Sequence, residues 1–110
     1  EVADLFQEKF MRLFHERATE RVARYPGFDK WYLAGIMRDT SAVTGLELAR
    51  RTLGIAHVKD LTSIADDDKR AEAERICLIA AKTFILERDA IATGKDYLQV
   101  VRDSVARASA

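Results

Sequence analysis

Residues 76–86 read ICLIAAKTFIL, with Lys82 as the single charged side chain. A helix that is apolar almost all round must be covered on several sides. The run therefore predicts the central helix of the protein, with Ile76, Ala80 and Phe84 at its buried centre. Upstream stand Asp66, Asp67 and Asp68. Three consecutive carboxylates do not reproduce an EF-hand loop, which alternates its ligands and needs a glycine and a terminal glutamate. They read instead as a helix N-terminus, where acidic side chains cap backbone N–H groups and suit the helix dipole. The central helix is expected to run from there to near Asp89. Thr93-Gly94 breaks the pattern, and a final helix is predicted over about Lys95–Arg107, with Leu98, Val101 and Val105 as its apolar stripe.

The stretch before the central helix is TGLELARRTLGIAHVKDLTSI, residues 44–64. Leu46, Ala49 and Leu53 recur at i, i+3 and i+7, one face of a helix. Gly54 follows the last apolar position, where a left-handed glycine would close the helix. Arg50 and Arg51 then fall in its last turn, where cations favour the negative end of the dipole. Glu47 precedes Arg51 by four residues, the favourable acid-before-base order. Arg50 flanks the apolar stripe and Arg51 points well away from it, because adjacent helix positions are about 100° apart. This spacing predicts that Arg51 is engaged by Glu47, and that Arg50 has its stem held by Leu46 and Leu53 with its head fixed outward. Paired guanidinium groups also suit an anion site, since each can bind carboxylate or phosphate by a two-pronged fork.

Working back to the start, Val2, Leu5, Phe6, Phe10, Leu13 and Phe14 recur at helical spacing, predicting a first helix from near Ala3 to near Arg24. It stops before Tyr25-Pro26-Gly27. A second helix is expected from Asp29 as N-cap, with Trp31, Leu33, Ile36 and Met37 in apolar contacts. Trp31 and Tyr32 are read as core. Thr40, Ser41 and Thr44 lower helix propensity, so a kink or short break is expected there. His15 lies between charged neighbours and reads as a surface residue. His57 reads as a cap or backbone partner.

The 110 residues suit one helical domain or subdomain over 1–110. The chain has 18 basic and 18 acidic side chains, hence a formal net charge of +0. That balance argues against a nucleic-acid surface, which needs a basic excess or stripe. The lone Cys77 excludes an internal disulfide and fits a reducing compartment. No apolar run approaches the ~18 residues of a membrane span, and no signal-peptide pattern is visible.

Residues from about Asp39 to Ile91 resemble the C-terminal end of the S-methyl-5-thioribose kinases. The resemblance is carried by Asp39-Thr40, the paired arginines with a short residue and an aliphatic before Gly54, the Ala-His-Val-x-Asp connector at 56–60, the acidic loop with its Ala-rich helix, and ILERDAI at 85–91. It covers roughly half of the chain. A departure lies at 41–45, SerAlaValThrGly, where family members often carry an aromatic residue and small residues. The resemblance implies an all-α, compact bundle of about four to five helices, part of the helical C-lobe of a protein-kinase-like fold. It also implies a fragment of a longer cytoplasmic enzyme of methionine salvage, which transfers the ATP γ-phosphoryl group to the anomeric hydroxyl of S-methyl-5-thioribose. In that family the arginine pair lines the sugar site, a role the resemblance carries onto Arg50 and Arg51, with Arg50 expected to contribute more because Arg51 is engaged by Glu47.

The chain holds no Gly-rich phosphate loop, no strand lysine for ATP phosphates and no catalytic-loop aspartate motif. No catalytic, cofactor-binding or metal-ligating residue is assigned within it. ATP and Mg²⁺ are implied only for a full-length enzyme, whose nucleotide lobe would lie upstream of Glu1. Expected partners are the sugar substrate, with neither nucleic acid nor membrane; a homodimer is compatible with this reading. Two alternatives stand beside it: a non-enzymatic helical interaction module with Trp31 and Tyr32 at its partner surface, and a small DNA-linked regulatory protein, which the neutral charge disfavours.

Overall fold

The computed structural model describes all residues, Glu1–Ala110. The chain is all-helical: α1 (Val2–Arg17), α2 (Phe28–Leu53), the single-turn α3 (Lys59–Thr62), α4 (Asp67–Leu86) and α5 (Gly94–Ala108). Short 3₁₀ turns, Arg21–Arg24 and Arg88–Ala90, sit in two of the connections. The bundle measures 56 × 27 × 22 Å. No helix is long and apolar enough to cross a membrane.

As the apolar run at 76–86 requires, α4 is central, packed by α2 on one side and α5 on another. Ala80, Ala81 and Phe84 are buried, while Ile76 is only partly covered. Asp66 caps α4 as expected, its carboxylate accepting from the backbone N–H groups of Asp68 (3.0 Å) and Lys69 (3.1 Å). The α2–α4 crossing depends on small residues. A methyl group at Gly45 would lie 2.5 Å from the Ala81 carbonyl oxygen and 2.7 Å from Ile85. One turn away, the fully buried Ser41 hydroxyl donates to the Phe84 carbonyl at 2.8 Å. That carbonyl lies in the last turn of α4, where no helical N–H can reach it.

This contact explains why the break expected as one outcome near Thr40–Thr44 is absent. Helix α2 is continuous through 26 residues. Thr40 and Thr44 donate their hydroxyls to the carbonyls of Ile36 and Thr40, at 2.7 and 2.8 Å. The groups expected to compete with the helix are satisfied inside it, and packing on α4 outweighs their weak propensity. The buried face of α2 is Met37, Ser41, Gly45 and Thr52. The stripe expected to be apolar core faces outward instead, with Leu46 58% and Leu53 72% exposed. At the helix end, Gly54 has φ −82° and ψ −177°, extended rather than left-handed, and its N–H still donates to the Arg50 carbonyl at 2.9 Å. The start of α2 differs too. Gly27, at φ 85°, is the N-cap, and Asp29 lies one residue inside the helix.

Helix α5 is similarly rotated from its expected face. Val100, Ser104 and Ala108 are buried, whereas Leu98, Val101 and Val105 lie about half exposed. Tyr97 packs its ring 5.2 Å from that of Phe84. Small residues on the inner face let α5 approach α4, and the larger aliphatics are displaced to the flank. A capping box starts α5: the Asp96 N–H donates to Thr93 Oγ1 at 3.3 Å, and the Thr93 N–H donates to Asp96 Oδ2 at 2.8 Å.

Helix α1 ends at Arg17, seven residues before the expected stop, where Ala18 turns extended at φ −70°, ψ 120°. The segment beyond it offers few apolar residues to bury, so nothing rewards continuing the helix. No residue of α1 is fully buried. Phe10 and Phe14 stack on Tyr32, and Phe14 and Tyr32 each lie near Phe28, with ring separations of 5.7–6.5 Å. Trp31 leans on Phe28 at 5.7 Å but remains 71% exposed, and Tyr32 is 46% exposed. Neither is core, contrary to the reading from sequence, because both point toward the thinly covered α1 end of α2.

Candidate functional site

Arg50 and Arg51 stand in the last turn of α2, each about half exposed. Both are tied to Glu47, one turn earlier on the same helix. Arg50 makes the two-pronged contact, with Nε donating to Oε1 at 3.1 Å and Nη2 to Oε2 at 3.0 Å. Arg51 donates through Nε alone, to Oε2 at 3.1 Å. This reverses the division expected from spacing: Arg50, not Arg51, is the more fully engaged. The i, i+3 separation lets the Arg50 fork meet the carboxylate face-on. Both Nη groups of Arg51 remain without a protein partner.

The electrostatics follow from this geometry. Hydrogen bonds from Arg50 and then Arg51 hold the Glu47 carboxyl below the usual carboxylate range. Glu47 in turn raises the Arg50 guanidinium above its ordinary value. Two cations share one carboxylate, so the cluster carries one net positive charge. Exposed ion pairs add little stability; their effect here is orientation, since Glu47 fixes both guanidinium planes at the end of a rigid helix.

A shallow groove of about 700 Å³ runs along this side of α2, bounded by Ile36, Asp39, Thr40, Val43, Thr44, Glu47, Leu48 and Arg51. Arg51 marks one end and Ile36 the other, ~22 Å apart along the axis at 1.5 Å per residue, with Asp39 about one turn in from the Ile36 end. Arg50 does not line it. The i, i+4 recurrence of 36, 40, 44 and 48, with 39, 43, 47 and 51 beside it, marks a continuous helix face, a signal that the heptad-like reading of Leu46 and Leu53 obscured. Every wall residue belongs to α2. The groove is thus a surface of a single helix, with Glu47 and Arg51 toward one end and Asp39 toward the other.

Other candidates contribute no chemistry here. His15 accepts or donates one hydrogen bond with Asp29 Oδ2 at 2.8 Å, linking α1 to α2. His57 is exposed in the connector before α3. Burial pushes the Cys77 thiol up and disfavours the thiolate. No group of three or more His, Cys, Asp or Glu side chains could hold a metal ion.

No family model matches the chain. A methylthioribose kinase of Yersinia enterocolitica is 33% identical over 101 residues, 92% of this chain and 25% of that protein. Those of Erwinia tasmaniensis and Bacillus pumilus are 37% and 31% identical, over 79% and 91% of this chain and 22% and 25% of their own lengths. By sequence, the chain is a relative of the methylthioribose kinases. It spans about a quarter of the length of the curated relatives it matches. The similarity extends beyond the 39–91 stretch into α1 or α5, since a match over 92% of the chain leaves few residues out.

Proposed function

We propose that this chain is the C-terminal helical part of a methylthioribose kinase, and that the end of α2 supplies one wall of its sugar site. The sequence relationship to methylthioribose kinases along nearly the whole chain carries this reading. In it, ATP, Mg²⁺ and the catalytic machinery belong to the preceding part of a longer cytoplasmic polypeptide, and the substrate is methylthioribose.

The chemistry asked of this segment is positioning and charge stabilisation, which dominate phosphoryl transfer. Arg51 is the better placed of the pair. It lines the groove and keeps two unpartnered nitrogens for an incoming oxyanion or sugar hydroxyl. Arg50 secures Glu47, and Glu47 aims Arg51. In the full-length enzyme, Arg51→Lys keeps the charge but loses the planar fork. It should lower kcat/KM for methylthioribose by about tenfold or more, the scale of one charge-assisted hydrogen bond. The KM for ATP should stay nearly unchanged. Arg50→Lys should have a smaller effect of the same kind. Full activity in both Arg50→Ala and Arg51→Ala would reduce the pair to solvated helix-end cations.

The exposure of Trp31 supports a second reading, a helical interaction module with Trp31 and Tyr32 on its partner face. The two readings part on one assay. A full-length polypeptide that phosphorylates no methylthioribose would remove the first.

A further inference from the structure

Viewed down its axis, α4 is covered over only part of its circumference. Ala80 and Phe84 point into the core shared with α5, and Ala81 and Ile85 meet Gly45 of α2. The remaining arc carries Leu78, Lys82 and Leu86. Together with Ala49 of α2 it encloses a shallow apolar cleft of about 290 Å³. Leu46 and Leu53 lie one turn to either side of Ala49 on the same face of α2. These are the aliphatics whose spacing marks a core stripe, yet Leu46, Leu53 and Leu86 are 58–72% exposed. Sequence and packing disagree here in a consistent direction: a helix apolar all round has one open side, and its neighbour presents an apolar stripe to the same side. At the centre of the arc stands Lys82, which makes no ion pair within the chain.

We infer that this α2–α4 face seats an amphipathic helix from the remaining part of the longer polypeptide, one that sets aliphatic side chains into the cleft and a carboxylate opposite Lys82. The inference rests on the kinase reading for the source of that helix. About three-quarters of each curated relative lies outside the matched region, ample chain to supply it. The charge argument specifies its chemistry. A purely apolar partner would bury the Lys82 ammonium without a counter-ion, which is costly.

The test compares this chain with the full polypeptide of its source reading frame, both carrying Cys77→Ser and Leu86→Cys. Leu86 is exposed, so the substitution should leave the helical circular dichroism of the isolated chain unchanged. Maleimide labelling at position 86 should be about tenfold slower or more in the full polypeptide than in the isolated chain. Lys82→Glu should largely abolish that protection, and Lys82→Arg should keep it. Equal labelling in both forms would overturn the inference, as would a reading frame that encodes nothing beyond this chain. Protection of the isolated chain that grows with its concentration would also overturn it, since a second copy would then be the occupant. The kinase reading fails separately: a full polypeptide inactive on methylthioribose but protected at position 86 would lose the function and keep the docking face.

Discussion

The two ends of α2 are stabilised by different means. Its C-terminal half is locked to α4 by a close backbone approach at Gly45, a buried Ser41–Phe84 hydrogen bond and the side chains of Phe84 and Leu48. Its N-terminal half carries α1, an arm with no fully buried residue, held by half-exposed aromatic stacking and a few polar tethers. Gln7 Nε2 donates to the Ala92 carbonyl at 2.9 Å, Gly94 N–H donates to Asp4 Oδ1 at 3.0 Å, and His15 pairs with Asp29. Apolar residue content does not distinguish these regions; α1 has more aromatic rings than α4. Small residues that admit close helix approach do. Large rings spaced along a helix cover a neighbour without sealing it, whereas Gly and Ser let two backbones come together and exclude water.

The largest expected contrast is a pair of truncations. Phe84→Ala should cost about 3–5 kcal/mol, since Phe84 is 3% exposed at the centre of the α2–α4–α5 core. Phe10→Ala in the arm should cost about 1 kcal/mol, because only part of its ring leaves water. Urea unfolding of both variants measures the difference; similar losses would erase the distinction between the regions. Next in size, Gly45→Ala forces a methyl group onto the Ala81 carbonyl and should destabilise by roughly 1–3 kcal/mol. The same change at Gly35, where a methyl group meets nothing, should stabilise α2 by up to ~1 kcal/mol. Thr93→Ala removes the cap of α5 and should cost about 1 kcal/mol.

The subtlest test is acidification. The Gly94 N–H holds the Asp4 carboxyl below its usual value, and the His15 bond and the Lys30 N–H do the same for Asp29. Because both values are lowered in the folded state, their contribution is present above the unfolded carboxylate value of about 4 and is lost as pH falls through the lowered values. Hydrogen exchange should therefore accelerate in α1 below about pH 4 while α4 stays protected. Simultaneous loss of protection in α1 and α4 would mean that the arm is no weaker than the α2–α4 core.

Several features were legible in the sequence because they depend on neighbours along the chain. Asp66 as a cap, the breaks at Tyr25-Pro26-Gly27 and Thr93-Gly94, the helical periods and the centrality of 76–86 all follow from residues within a few positions of one another. The pairing of Glu47 with Arg51 follows from the same local logic. Which face of each helix turns inward did not follow. Leu46 and Leu53 on α2, and Leu98, Val101 and Val105 on α5, satisfy the periodicity of a core stripe, yet stand outside. Period selects a helix, but the inner face is chosen by how near two backbones can come, and that rewarded Ser41, Gly45, Ser104 and Ala108 over larger aliphatics. Tertiary contact likewise kept α2 continuous through three residues that disfavour helix. Local chemistry determined that these segments are helical and where α4 begins; only the meeting of α2, α4 and α5 decided what they bury, because burial is a property of pairs of surfaces rather than of one stretch of chain.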